Sequence, residues 1–229
     1  MKLTIIIPVF NEIQSLKILL NKVLGTKINK QIIVVDDFSS DGSRELLINQ
    51  FKDKINKLIL HKKNLGKGAA IISAKNYING DYIIIQDADL EYDPFDYNKL
   101  LVPFFDANAD IVYGSRFLGG GKYVRIHFFW HFLANKILTF ICNFVTNLNL
   151  TDMETGYKVF KKNILLSLDL KENSFGIEPE LTIKLSKKNA KFFEVPISYN
   201  GRSYAEGKKI TIKDAFRALF CIFRYSIFK

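Results

Sequence analysis

Short unbroken apolar runs alternate along the first half of the chain with longer stretches of helical spacing. The runs are LTIIIPVF (3–10), QIIVVD (31–36), KLILH (57–61), DYIIIQ (81–86) and ADIVYG (109–114). After the first run, Ile13, Leu16, Leu19, Leu20 and Val23 recur at separations that align them on one face of a helix over 12–24. Two further helices are expected, one opened by Asp41-Gly42-Ser43 and ending near Phe51, the other running from Gly66 to about Tyr77. Strands that are apolar throughout are buried on both faces, and helices between them imply a mostly parallel α/β sheet covered on both sides. Ligands of such sheets bind beyond the carboxyl ends of the strands. That rim receives Phe10-Asn11-Glu12, Asp36-Asp37 and QDADLEYDP (86–94).

The second half is less regular. GGG (119–121) breaks the pattern. Residues 126–148 are apolar except for His127, His131, Asn135, Thr139, Asn143 and Asn147, a polar stripe that recurs every four residues and winds slowly around a helix. Residues 211–229 place Ile212, Phe216, Leu219, Phe223 and Ile227 on one side, with Lys213, Arg217 and Arg224 elsewhere. Both stretches read as amphipathic helices at a membrane surface, or alternatively as helices packed on the sheet. His127 and His131 lack the intervening Glu of an H-E-x-x-H zinc site. No run of 18 apolar residues and no signal-peptide pattern occurs, so a cytoplasmic, peripheral protein is expected. Without a repeat or clear linker, residues 1–229 read as one domain.

Composition narrows the classes. At 48% hydrophobic over 229 residues, the chain buries a sizeable core and is not disordered. Cys142 and Cys221 lie far apart in apolar surroundings, without metal-ligand spacing. A net charge of +10 suits nucleic acid, an anionic membrane surface or an anionic substrate, and also follows from simple Lys and Asn bias. Nucleic acid fits least: no binding module is recognisable, and acids on the rim repel phosphate.

Against this basic excess, the acids of QDADLEYDP call for a cation. Asp87 and Asp89 follow the end of a strand and can approach one hard ion, Mg²⁺ or Mn²⁺, that keeps positions open for phosphate oxygens. The plainer reading is an acidic cap for the helix near Pro94. In VDDFSSDG (35–42), a rim carboxylate can accept from a base N–H or a ribose hydroxyl, or Ser40 and Asp41 simply cap a helix. KNLGKGAA (63–70) joins Lys67 to a helix N-terminus, a place that attracts anions, but it lacks P-loop spacing. The absence of G-x-G-x-x-G argues against a dehydrogenase.

In order along residues 5–209, IIIPVFNE, VVDDFSSDG, NLGKGAA, QDADLEYDP, YGSRF, DMETGYKVF and VPISYNGRSYAEGKK resemble the family-2 glycosyltransferases of GT-A (Rossmann-like) fold, especially the dolichol-phosphate mannose synthase group. The resemblance implies a nucleotide-sugar-binding half (1–118), an acceptor-side half (119–210) and an amphipathic C-terminal helix (211–229). It implies that Pro8, Phe10, Glu12, Val35 and Asp37 hold the nucleoside. Asp87, Ala88 and Asp89 would meet ribose and diphosphate, with a divalent metal among Asp87, Asp89 and Glu91. Lys67, Arg116, Arg202 and Lys208 would face phosphate. Asp152 is the candidate base beside the acceptor or a structural carboxylate, with Glu154 the poorer candidate. Thr155-Gly156-Tyr157-Lys158 departs from the Ser-Gly-Phe-Arg common in mannose synthases.

The expected activity is inverting transfer of a hexose from a UDP- or GDP-sugar to a membrane lipid. Polyprenyl (dolichyl or undecaprenyl) phosphate comes first, and a hydroxyl acceptor such as diacylglycerol is the alternative. Asp89, Arg116 and Asp152 would carry catalysis. A lipid phosphate is already anionic and hardly needs a base, whereas a hydroxyl does. A nucleotidyltransferase would carry a Gly-rich loop where this chain has PVFNE.

Overall fold

All five apolar runs of the first half are strands. The structure, a computed structural model, describes residues 1–119, 125, 128–203, 206–207 and 212–227. Its strands are β1 (Leu3–Val9), β2 (Lys30–Asp36), β3 (Lys57–Leu60), β4 (Tyr82–Ile85), β5 (Ile111–Ser115), β6 (Lys158–Lys161) and β7 (Phe192–Pro196). They form one sheet in the order β3-β2-β1-β4-β6-β5-β7. Every pair is parallel except those made by β6, which runs opposite to β4 and β5. The carboxyl ends of β1, β2, β4 and β5 therefore share a rim, and the chain enters β6 from that same rim.

The helices are α1 (Ile13–Gly25), α2 (Ser43–Leu46), α3 (Lys67–Ala74), α4 (Tyr97–Asp106), α5 (Phe129–Thr146), α6 (Lys162–Leu166), α7 (Ile177–Ser186) and α8 (Ile212–Ile227). Strand side chains alternate between two cores. Ile5, Ile7, Val34, Ile84 and Val112 pack with Leu16, Leu19 and Leu20 of α1 and Leu100 and Phe104 of α4. Ile6, Ile33, Ile83, Ile111 and Phe160 pack on the other side with residues of α3, α5, α7 and α8. Each such side chain contributes roughly 1.5–3 kcal/mol on burial. This two-sided burial is what produced the continuous apolar runs.

The polar stripe of α5 turns inward. Asn143 accepts from the Leu150 N–H at 3.0 Å and donates to the Leu150 carbonyl at 2.8 Å. Thr139 Oγ1 accepts from the Met153 N–H at 3.1 Å, and Asn135 Nδ2 lies 3.3 Å from Asp152. The segment 150–153 belongs to no strand or helix, so its backbone groups need such partners. Much of the apolar side of α5 is left outside. α8 behaves alike: Ala218, Cys221, Ile222 and Tyr225 are buried, while Phe216, Phe223 and Ile227, expected to share one apolar face, are exposed. Glu172 anchors α8 by accepting from Arg217 Nη2 at 2.6 Å and Tyr225 Oη at 2.8 Å. Among the described residues, no helix is long and apolar enough to cross a membrane.

Candidate active site

The segment after β4 is held on the rim by a tyrosine cluster. Gln86 Oε1 accepts from both Tyr97 and Tyr157 hydroxyls at 2.6 Å. Tyr92 stacks on Tyr157 with centroids 4.6 Å apart, and its hydroxyl accepts from the Gly156 N–H at 2.9 Å. A Cβ on Gly156 would lie 2.4 Å from Asp87 Oδ2, so a side chain there would push that carboxylate aside. β6 brings that segment there.

Asp87 meets Lys67, whose ammonium lies 2.7 Å away and also 3.0 Å from Glu178 of α7. Glu178 in turn pairs with the buried Lys158 of β6. Burial works to lower the Lys67 pKa, but the two carboxylates reverse this and hold the ammonium charged. The start of α3 is not an open anion site. Ala69 N–H donates to the Asn173 carbonyl at 3.1 Å, and a Cβ at Gly66 or Gly68 would strike the backbone of 172–173. Lys67 itself, rather than the helix end, faces the rim.

Arg202 serves the other carboxylates. Its guanidinium lies 3.0 Å from Glu12, 2.9 Å from Asp89 and 3.4 Å from Glu91. Tyr199 also donates to Glu91. Burial, then the charges of Asp87 and Glu91, push the Asp89 carboxyl up to about 8 against the pull of Arg202. Burial is the larger cause, and the arginine offsets it only in part. Among the described residues, no three acidic, His or Cys side chains are gathered to hold a metal ion by themselves. The trio Asp87, Asp89 and Glu91 is instead divided between Lys67 and Arg202.

Arg116, just past β5, grips Asp152 with Nε at 2.7 Å from one oxygen and Nη2 at 2.7 Å from the other. The Arg116 N–H donates to the same carboxylate at 3.1 Å. Burial alone would raise the Asp152 pKa, but Arg116 holds it below the usual carboxylate range. Asp152 is fully buried, and Glu194 secures its segment through the Thr151 N–H at 2.9 Å. Each oxygen of the candidate base is thus occupied by the arginine.

The residues expected at the nucleoside divide by burial. Phe10 is exposed at the end of β1, Glu12 faces Arg202, and Pro8 lies opposite Val35 in the sheet. The Val35 side chain is in the core, and its backbone lies within the sheet between Pro8 and Ile59. The buried Asp37 carboxylate lies 2.7 Å from His61 Nδ1 and accepts from the N–H groups of Leu65 and Gly66 at 2.8 and 2.7 Å. Ala88 is buried, and its carbonyl accepts from Ser15. Lys208 lies outside the described residues.

The sequence profile described as glycosyl transferase family 2 matches residues 4–168, which include the rim carboxylates, Lys67, Arg116 and Asp152. The chain belongs to glycosyl transferase family 2. The undecaprenyl-phosphate mannosyltransferase of Micrococcus luteus is 28% identical to this family member over 91% of the chain and 87% of its own length. The dolichol-phosphate mannosyltransferase of Pyrococcus furiosus is 29% identical over 91% of the chain, which spans 59% of that enzyme. The fold is similar to that of glucosyl-3-phosphoglycerate synthase from Mycobacterium tuberculosis in complex with Mn²⁺, UDP and phosphoglyceric acid. The TM-score is 0.74 over 98% of this chain and 78% of that one, at 14% identity.

Sequence reasoning missed Glu178 and its pairing with Lys158 in this family 2 site, and it named Glu154 only as the poorer candidate base. Glu178 and Glu180 stand in IEPELTIKLS, the sequence of a helix buried almost all round, and acids in such a helix signal buried partners. Glu154 has one buried oxygen without a hydrogen-bond partner. Burial pushes its carboxyl up to about 7, with Lys158 opposing and Glu178 adding to the rise.

Proposed function

We propose that this chain transfers a hexose, with inversion, from a UDP- or GDP-sugar to a polyprenyl phosphate. The two mannosyltransferases similar to it over nine-tenths of its length are named for such acceptors. The observation that carries the choice of acceptor is the Arg116–Asp152 pair. A hydroxyl needs a base with an oxygen free to take its proton, and both Asp152 oxygens accept from Arg116. A phosphate oxygen arrives already anionic and needs no base. Attack opposite the departing diphosphate inverts the anomeric centre.

Mg²⁺ or Mn²⁺ fits the donor set, which is made of the hard carboxylate oxygens of Asp87, Asp89 and Glu91. Asp89 would hold the ion together with Asp87 or Glu91 and with oxygens of the donor. When bound, such an ion supplies positive charge against the departing diphosphate. Lys67 keeps Asp87 in place and Arg202 neutralises Glu12, Asp89 and Glu91, and Arg116, held by Asp152, would meet the phosphates.

The test is a screen of UDP- and GDP-hexoses with polyprenyl phosphate or diacylglycerol, with and without chelator. A glycosylated polyprenyl phosphate is expected, lost on chelation and in Asp89→Ala. Glycosylated diacylglycerol with no polyprenyl product would overturn the acceptor, and near-normal Asp89→Ala turnover in metal-depleted buffer would overturn the metal.

A further inference from the structure

Among the described residues, three buried side-chain oxygens have no hydrogen-bond partner, one each on Asp36, Glu154 and Glu178. Two of these carboxylates are ion-paired all the same. Asp36 lies 2.6 Å from Arg44, and Glu178 meets Lys67 and Lys158. Glu154, itself half-buried, makes no ion pair with any described residue. Lys158 is close enough to oppose the rise of its pKa, but its ammonium is committed to the Thr155 carbonyl and to Glu178. A carboxylate oxygen withdrawn from water without a partner costs free energy, and such a group in a native fold calls for an explanation.

The backbone on either side holds Glu154 where it is. The Met153 N–H donates to Thr139 Oγ1 at 3.1 Å, and the Met153 side chain is in the core. Thr155 Oγ1 donates to the Gly114 carbonyl. Glu154 stands midway along the 152–157 segment, between two parts of the site. At one end Asp152 grips Arg116, and at the other Gly156 packs against Asp87. In the proposed reaction Asp87 belongs to the diphosphate end and the Arg116–Asp152 pair to the acceptor end. The sugar in transit lies between them, beside Glu154.

Charge narrows what Glu154 can bind. A phosphate is repelled, because Asp152 and Glu178 already add negative charge to that of Glu154. A cation suits the place no better. Lys158 and Arg116 face this carboxylate, and no group of three metal-ligating side chains occurs among the described residues. An uncharged hydrogen-bond donor remains, and a hexose presents hydroxyls on neighbouring carbons to the two oxygens of a carboxylate. We propose that Glu154 accepts hydrogen bonds from hydroxyl groups of the transferred hexose and thereby determines which sugar this chain uses. This role rests on the proposed transfer reaction. A site built to bond a hydroxyl rejects the analogue that lacks it, because its own polar group is then left unpaired.

The test compares wild type with Glu154→Gln and Glu154→Ala by titration calorimetry in Mg²⁺, without acceptor. UDP-glucose and GDP-mannose report on the sugar, UDP and GDP on the nucleotide alone, and thermal unfolding on the fold. Glu154→Ala should weaken the sugar nucleotide that wild type binds best by about tenfold or more, and Glu154→Gln by a smaller factor. The bare nucleotide should stay within about twofold in both. Deoxy analogues then locate the hydroxyl: the analogue without it should bind wild type and Glu154→Ala alike. Equal weakening of sugar nucleotide and bare nucleotide would overturn the role, since a structural residue behaves so. Unaltered sugar binding with turnover lowered by roughly 10² to 10⁴ would also overturn it, in favour of a general base. Wild type that binds none of the four ligands would overturn the transfer reaction, and this role with it. Wild type that binds a sugar nucleotide, with affinity and preference unchanged in both variants, would overturn the role alone and leave the reaction standing.

Discussion

In the pair formed by Arg116 and Asp152, two opposite charges are withdrawn from water together, so removing either strands the other. A double-mutant cycle therefore separates positioning from proton transfer. If Asp152 acts by holding Arg116, Asp152→Asn should lower turnover in the wild type but cost less than about threefold further in an Arg116→Gln background. A general base would add its own factor of roughly 10² to 10⁴ in either background. Single-turnover rates with saturating donor, measured in all four proteins, decide between them. At this scale the sequence was partly legible. Asp87, Asp89 and Glu91, close together in the chain, declared by their crowding a need for positive charge, which in the fold comes from Lys67 and Arg202. The links from Lys67 to Glu178 and from Arg202 to Glu12 could not be read, because only the fold brings such distant positions together. Burial was equally hidden: nothing in VVDD says that the Asp37 oxygens are taken up by Leu65, Gly66 and His61.

Elements declared themselves when one face, or a whole run, was apolar. α1 showed its spacing and β1 to β5 their continuous runs, whereas β6, KVFK, has only two apolar residues between lysines. α7 stayed invisible for the opposite reason. It is buried almost all round and mixes Glu178, Glu180 and Thr182 with Leu and Ile, so no stripe emerges. The junction of α3 with the 172–173 loop offers a test at the scale of elements. A Cβ on Gly68 would sit 2.0 Å from the Glu172 carbonyl oxygen, a backbone atom that cannot swing aside. Gly68→Ala should destabilise the protein by about 1–3 kcal/mol, as overpacking does, despite the better helix propensity of Ala. It should also weaken nucleotide-sugar binding by shifting Lys67 from Asp87. Urea unfolding and donor titration check both, and a stability within about 0.5 kcal/mol of wild type would contradict the packing described.

For the molecule as a whole, the carboxyls divide: Asp152, Glu172 and Glu178 are held low and follow ordinary acid denaturation, whereas a few raised ones set an opposite pH dependence. Glu154 titrates at about 7 when folded against an ordinary 4.5, so between these values the folded chain retains a proton that the unfolded chain has released. Stability from this group is full below about 4.5, falls as pH rises toward 7, and is level above. Asp89 and Glu194 shift in the same direction. Comparing Glu154→Gln with wild type isolates one contribution: the variant should gain on the order of 2 kcal/mol relative to wild type between about pH 5 and 7.5. Melting temperatures across that range measure it, and parallel curves would refute it. A last consequence lies in the threading of β6 between β4 and β5. During synthesis β5 emerges before β6, yet β6 is the strand that joins it to β4. Until α5 and then β6 have left the ribosome, β4 keeps a bare edge and the apolar β5 has no neighbour on that side. The part of the sheet that carries the rim carboxylates is therefore made first and completed last, and a fragment ending at residue 118, with both β4 and β5 lacking β6, is expected to need chaperones rather than to fold alone.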